Sequence, residues 1–249
     1  MNGKVLAALL GMLVAAPAAA ETVRMTSLEW PPYSGAELPQ QGAVIAVARA
    51  AFAAMGDELI VEFYPWSRAV KLVTTPGTGF VAYLPEYAYE SEEFTFSEPL
   101  GYGPLGLVER SAEPVVWETI EDLERYRIGV VQGYVNTAAF DAAVAEERIQ
   151  VETVVSDAQN ARKVAAERLD AAVIDSHVLD YLLARDPLLE PVEPGAVRMN
   201  ARLLESKALL AAFRNGPEGD RWRQTLNEGL KRIDAEAMLR EYLMRDWSR

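Results

Sequence analysis

Gly79-Phe80-Val81-Ala82-Tyr83-Leu84-Pro85-Glu86-Tyr87-Ala88-Tyr89-Glu90-Ser91-Glu92-Glu93-Phe94-Thr95-Phe96-Ser97-Glu98-Pro99-Leu100 is the stretch that organises the chain. Its apolar opening, 80–84, reads as a buried strand. A loop of aromatics and acids follows it. In α/β proteins ligands sit beyond the carboxyl ends of parallel strands, so this loop is expected to line a cleft.

The segments before it alternate in kind. Residues 23–28 read as a strand, stopped by Glu29-Trp30-Pro31-Pro32-Tyr33 because two prolines remove donors and fix φ. Trp30 and Tyr33 are thereby held on a stiff loop, either capping a core edge or forming a binding wall. Residues 41–55 carry the apolar spacing of a helix, and Gly56 suits its C-terminus. Leu59, Val61 and Phe63 alternate with polar residues as in a strand. Pro65 suits the start of a helix reaching residue 73 that carries Trp66 and Arg68. Strand, helix, strand, helix, strand predicts a parallel sheet with crossover helices.

A second series follows. It comprises strands at 103–109, 127–131, 149–155 and 169–174 and helices at 119–125, 136–147, 157–168 and 176–185. Thr119 with Asp122 makes a loose capping box, and Asp157 is a candidate helix cap. Residues 188–198 are broken by prolines, and the remainder is predicted helical over 206–213, 217–233 and 234–245.

Residues 1–20 read as a cleaved secretory signal: Lys4, an apolar run over 5–16, then Ala18-Ala19-Ala20. The chain has no cysteine and one histidine, His177. Disulfide scaffolds and Cys/His metal sites are therefore not expected, and neither is a Ser/His nucleophile pair. No phosphate-cradling glycine loop is present. The formal charge of -13 argues against nucleic-acid binding. What remains is a small-molecule cleft built from strand ends, with candidates Trp30, Tyr33, Trp66, Arg68, Tyr83, Tyr87, Glu90, Gly133, Tyr134, Val135 and Asp175.

The chain resembles the family 3 extracellular solute-binding proteins, the polar amino-acid receptors of ABC importers. The resemblance runs through Glu29-Trp30-Pro31-Pro32-Tyr33, Tyr64-Pro65-Trp66-Ser67-Arg68-Ala69 and Phe94-Thr95-Phe96-Ser97-Glu98-Pro99-Leu100. It continues through Ile120-Glu121-Asp122-Leu123 and Arg127-Ile128-Gly129-Val130-Val131-Gln132-Gly133-Tyr134. It ends in Arg168-Leu169-Asp170-Ala171-Ala172-Val173-Ile174-Asp175 and Leu226-Asn227-Glu228-Gly229-Leu230.

The fold class implied is α/β, the two-lobe type II periplasmic-binding-protein fold. Each lobe would be a mixed, mostly parallel sheet flanked by helices. Residues 21–108 and 202–249 would form lobe 1, with 109–201 as an inserted lobe 2. The resemblance implies a periplasmic, monomeric receptor without cofactor that passes a small solute to an ABC permease. It implies that Trp30 and Trp66 sandwich the solute, that amides around 133–135 meet its carboxylate, and that Asp175 takes its amino group.

Three departures bear on the solute. Glu90 stands where the family carries an arginine for the α-carboxylate, Pro85 replaces a nearby hydroxyl residue, and Val135 replaces a serine or threonine. An acid is also missing at Gly79-Phe80. A carboxylate beside Glu90 would meet like charge, at a cost on the order of 1–4 kcal/mol at short range. The expectation is a cationic or neutral solute, with Arg68 as a relocated anchor if a carboxylate is bound. Two alternatives share the fold: a dehydratase of prephenate-type substrates, and a sensory module for a kinase.

Overall fold

The computed structural model describes residues 20–245 and 247, so the expected signal segment lies outside the described residues apart from Ala20. The strands and helices are, in chain order, β1 Thr22–Ser27, α1 Ala43–Met55, β2 Glu58–Phe63, α2 Trp66–Thr74, β3 Ala82–Glu86, β4 Phe94–Phe96 and β5 Gly101–Arg110. They continue as β6 Ile128–Val131, α3 Ala138–Ala145, β7 Val151–Val154, α4 Asp157–Ala165, β8 Ala171–Asp175 and α5 Ser176–Arg185. The last are β9 Val197–Met199, β10 Glu205–Arg214, α6 Pro217–Leu230 and α7 Ala235–Leu243.

The strands form one continuous path, β2-β1-β3-β10-β5-β8-β6-β7, with β4 on β10 and β9 on β5. β1 runs parallel to β2 and β3, and β6 runs parallel to β7 and β8. The two long antiparallel strands tie these groups together. β10 pairs through Glu205–Leu209 with β5 and through Leu210–Arg214 with β3 and β4. β5 in turn pairs through Leu105–Glu109 with β8. β5 and β10 thus join the two parallel groups into one sheet.

The helices cover the sheet with apolar faces. α1 buries eight residues, among them Val44, Ile45, Val47 and Phe52, and Gly56 closes it at φ 89°, donating to the Ala53 and Phe52 carbonyls. Positive φ is a conformation that glycine reaches without steric cost. α6 lies close on α1 because residue 229 has no side chain: a Cβ there would collide with the Ala51 carbonyl oxygen. Phe52 and Trp222 meet edge to face at 5.9 Å in that contact.

Three expectations need correction. Residues 206–213 are not helical but form most of β10. Lys207-Ala208-Leu209-Leu210-Ala211-Ala212-Phe213 has good helix formers, yet strands on both sides supply its hydrogen bonds and the run from Leu209 to Phe213 is buried throughout. Residues 120–125 make a 3-10 turn rather than an α-helix, with the Thr119 amide donating to the Asp122 carboxylate at 2.9 Å. Ser156, not Asp157, caps α4, its Oγ accepting from the Gln159 amide. Asp157 is left free for the cleft.

Candidate functional site

The carboxyl ends of β1, β3, β6 and β8 face one another across a cleft, and three side-chain hydrogen bonds cross it. Trp30 Nε1 donates to Asp157 Oδ2 at 3.2 Å. Trp66 Nε1 donates to the Gly133 carbonyl at 3.2 Å. The Tyr33 hydroxyl donates to Asp175 at 3.1 and 3.2 Å and lies 2.7 Å from His177 Nδ1. A phenol has one proton, so when Asp175 takes it the imidazole Nδ1–H donates to the phenol oxygen.

An outer groove of about 560 Å³ opens between Trp30, Tyr64 and Trp66 on one bank and Gln132, Val155 and Asp157 on the other. Behind it lie two small chambers sharing Trp30, Tyr87, Tyr134 and Val135 as walls. One, of about 30 Å³, reaches Trp66, Pro85 and Glu86. The other, of about 10 Å³, reaches Asn136, Asp157 and Asp175. Neither has room for more than about one water molecule. A solute can enter only if the banks part.

Aromatic edges define the walls. Trp30 lies 6.1 Å from Tyr87 and 6.4 Å from Tyr134, both edge to face, and Trp66 lies 6.3 Å from Tyr134. The Tyr87 hydroxyl is buried and has no hydrogen-bond partner.

Three carboxyls face these walls, all buried: Glu86 at 9%, Asp157 at 7% and Asp175 at 1% exposure. Burial pushes the Asp157 carboxyl up to about 7 against the opposing Trp30 hydrogen bond. Burial likewise raises Asp175 to about 7, with the Asp157 charge adding and the His177 and Val178 amides opposing. Glu86 is raised to about 8 by burial, opposed by the Tyr87 amide and by Lys207. The phenols of Tyr33, Tyr87 and Tyr134 are raised well above the ordinary tyrosine value, mainly by burial.

The structure sorts the sequence candidates. Trp30, Trp66, Tyr87, Tyr134, Val135 and Asp175 line the chambers. Tyr33 is fully buried behind Trp30, ring centres 4.9 Å apart, and serves Asp175 rather than the cavity wall. Gly133 contributes its carbonyl, at φ 78°, and the Tyr134 amide already donates to the Val131 carbonyl at 3.2 Å. That amide is therefore engaged within its own bank.

Tyr83 does not line the cavity. Its ring supports Trp66 at 5.3 Å and its hydroxyl pairs with Tyr89 at 2.7 Å. Arg68 is exposed, its guanidinium 5.1 Å over the Tyr64 ring, because the turn of α2 that buries Ala69 points residue 68 outward. Glu90 is exposed on the loop after β3. That strand runs two residues further than its apolar pattern suggests, so Glu86 and Tyr87 hold the cleft position instead.

Glu86 and Asp157 are the acids that sequence reasoning missed. Glu86 is the last residue of β3 and Asp157 follows the end of β7 through a short turn, positions the strand-end argument could have found. Gly103 of β5 was also missed: a Cβ there would collide with the Asp175 carboxylate and the Tyr33 hydroxyl.

No family model matches the chain, and no curated protein matches it in sequence. Solved structures do match. One is a histidine kinase sensor domain with similarity to periplasmic binding proteins, 18% identical over 90% of this chain and 96% of that one, with a TM-score of 0.74. Another is an amino-acid ABC transporter substrate-binding protein from Streptococcus pneumoniae bound to L-arginine, 18% identical over 90% of this chain and 92% of that one, TM-score 0.67. A third is an ancestral amino-acid-binding protein, a precursor of cyclohexadienyl dehydratase, 18% identical over 89% of this chain and 92% of that one, TM-score 0.66. At such identities the likeness defines the fold, and the chain has the periplasmic-binding-protein fold. Among the described residues no helix is long and apolar enough to cross a membrane.

Proposed function

We propose that the chain is a receptor that captures a small polar solute between two lobes and delivers it to an ABC permease from the periplasm. Residues 21–108 with 202–249 form one lobe and 109–201 the other, and β5 with β10 carries the hinge. The observation that supports this most is the set of three hydrogen bonds joining Trp30, Trp66 and Tyr33 of the first lobe to Asp157, Gly133 and Asp175 of the second. Side chains that meet only when the banks meet are suited to a trap, since a solute touching both lobes stabilises the closed state selectively.

A thermal-shift screen over a few hundred small solutes tests the reading. Binding to the native state adds about 2.7 kcal/mol at a solute concentration one hundred times Kd. One chemical class should raise Tm in a concentration-dependent way, and a chain inert to the whole set would overturn the proposal.

A second reading, a ligand-sensing module for a signalling kinase, has support in the sensor-domain neighbour with a TM-score of 0.74. Deleting the protein separates the two: lost solute uptake indicates transport, and intact uptake with a lost transcriptional response indicates sensing. A dehydratase of dicarboxylate substrates finds little support, because acids rather than cations face the chambers.

A further inference from the structure

The solute class can be read from the charges, and this inference rests on the receptor reading above. The chambers present three buried carboxyls, whose hydrogen-bond donors are all uncharged. Asp157 has the Trp30 indole. Asp175 has the Tyr33 hydroxyl and the amides of His177 and Val178. Glu86 has the Tyr87 amide. Buried charge is costly without a counter-ion, and the residues lining the two chambers include no arginine, lysine or histidine.

Two cations and one histidine lie near the site, and burial holds the imidazole's pKa below its ordinary value. Lys207 Nζ sits 5.2 Å from the centre of the Tyr87 ring and 3.8 Å from Glu205, so it acts on Glu86 without entering the chamber. His177 is turned to the Tyr33 hydroxyl. Arg68 is outside, over Tyr64. A solute carboxylate placed between the banks would face acids and aromatic rings.

A second observation points to a bound molecule independently of the acids. Tyr87 is 7% exposed, its hydroxyl has no hydrogen-bond partner, and it lines the same chamber as Asp157 and Asp175. A buried hydroxyl without a partner loses its hydration for no return, and a solute N–H would satisfy it. The surrounding rings of Trp30, Tyr87 and Tyr134 are also favourable to an ammonium or alkylammonium group. Among the described residues no group of three carboxyl or histidine side chains could hold a metal ion.

We propose that the cleft takes a small organic ammonium without a carboxylate, an aliphatic amine. Its N–H groups are directed to Asp157 and Asp175, its stem lies along Trp30 and Tyr134, and the Tyr87 hydroxyl accepts a further N–H. Glu86 attracts the cation from the adjoining chamber. The same acids that burial holds protonated near neutrality must release protons when the ammonium arrives. Affinity for the amine should therefore rise with pH between about 6 and 8, while an aliphatic amine keeps its own proton. The groups facing these acids that titrate or carry charge are Tyr33, Tyr83, Tyr87, Tyr89, Tyr134, His177 and Lys207.

The test is calorimetric titration with matched pairs, each an amino acid and its decarboxylated amine: ornithine with 1,4-diaminobutane, lysine with 1,5-diaminopentane, arginine with agmatine. At least one amine is expected to bind tenfold or more tightly than its parent amino acid, with proton release at pH 7. Tyr87→Phe should lower that affinity about fivefold while leaving Tm unchanged or slightly raised. Asp157→Asn should lower it tenfold or more with an unaltered circular-dichroism spectrum. Parent amino acids that bind more tightly than their amines would overturn the assignment, as would variants that leave amine affinity untouched. If neutral or anionic solutes raise Tm and all amines are inert, the cation assignment fails and the receptor reading stands. A chain inert to every solute defeats both.

Discussion

Replacing Asp157 by asparagine should remove part of the protein's sensitivity to pH. Asp157 opens α4, is 7% exposed and receives the Trp30 indole from the opposite bank at 3.2 Å. Burial carries its carboxyl from 3.8 to about 7. The folded form therefore holds a proton that the unfolded form has lost between about pH 4 and pH 7. With fewer protons bound by the unfolded state, stability falls as pH rises across that window. The contribution is intact below pH 4 and is fully lost once pH passes about 7.

Carrying the carboxyl from 3.8 to about 7 corresponds to roughly 4 kcal/mol. That is an upper bound, because the banks can part and hydrate the carboxylate without unfolding. The N-terminus of α4 also favours a negative charge by about 0.3–1 kcal/mol. Asparagine keeps a carbonyl acceptor for Trp30 and cannot ionise. Urea unfolding followed by tryptophan fluorescence should give equal midpoints for the wild type and Asp157→Asn near pH 4. At pH 8 the variant should be more stable by about 1–4 kcal/mol. An equal effect at both pH values, or a less stable variant at pH 8, would refute the reasoning.

Two further substitutions probe the supports of the cleft. Tyr33→Phe takes a hydroxyl from the fully buried Asp175 and from half-buried His177 and should cost about 1–3 kcal/mol in thermal unfolding; an unchanged Tm would show that the contact carries no energy. Gly103→Ala places a methyl against the Asp175 carboxylate and the Tyr33 hydroxyl and should cost about 1–3 kcal/mol, measured as a lower urea midpoint; an unchanged midpoint would show that these contacts yield without cost.

The parts of the fold legible in the sequence were those with local signals. The alternating Leu59, Val61 and Phe63 gave β2, and the apolar spacing with Gly56 gave α1. β10 was not legible, because an alanine- and leucine-rich run buried on both faces has no period of two. Its pairing with β3, β4 and β5 spans more than 90 residues of sequence. The site divided in the same way. Trp30, Trp66 and Asp175 follow strand ends and could be placed near a cleft. Glu90 was misplaced by the extra length of β3, and Asp157 was read as a cap because a carboxylate at a helix start has an ordinary local role. Only the approach of Trp30, 127 residues away, reveals its place in the cleft.

Ser67, next to the groove residue Trp66, and the groove residue Val155 on the opposite bank are both exposed, and the chain has no cysteine to interfere with labelling. Spin labels on cysteines at these two positions would report the distance between the banks directly. With a saturating amount of the most stabilising solute, a single, shorter distance should replace a broader distribution. A distribution that is the same with and without that solute would contradict closure of the two banks as the binding event.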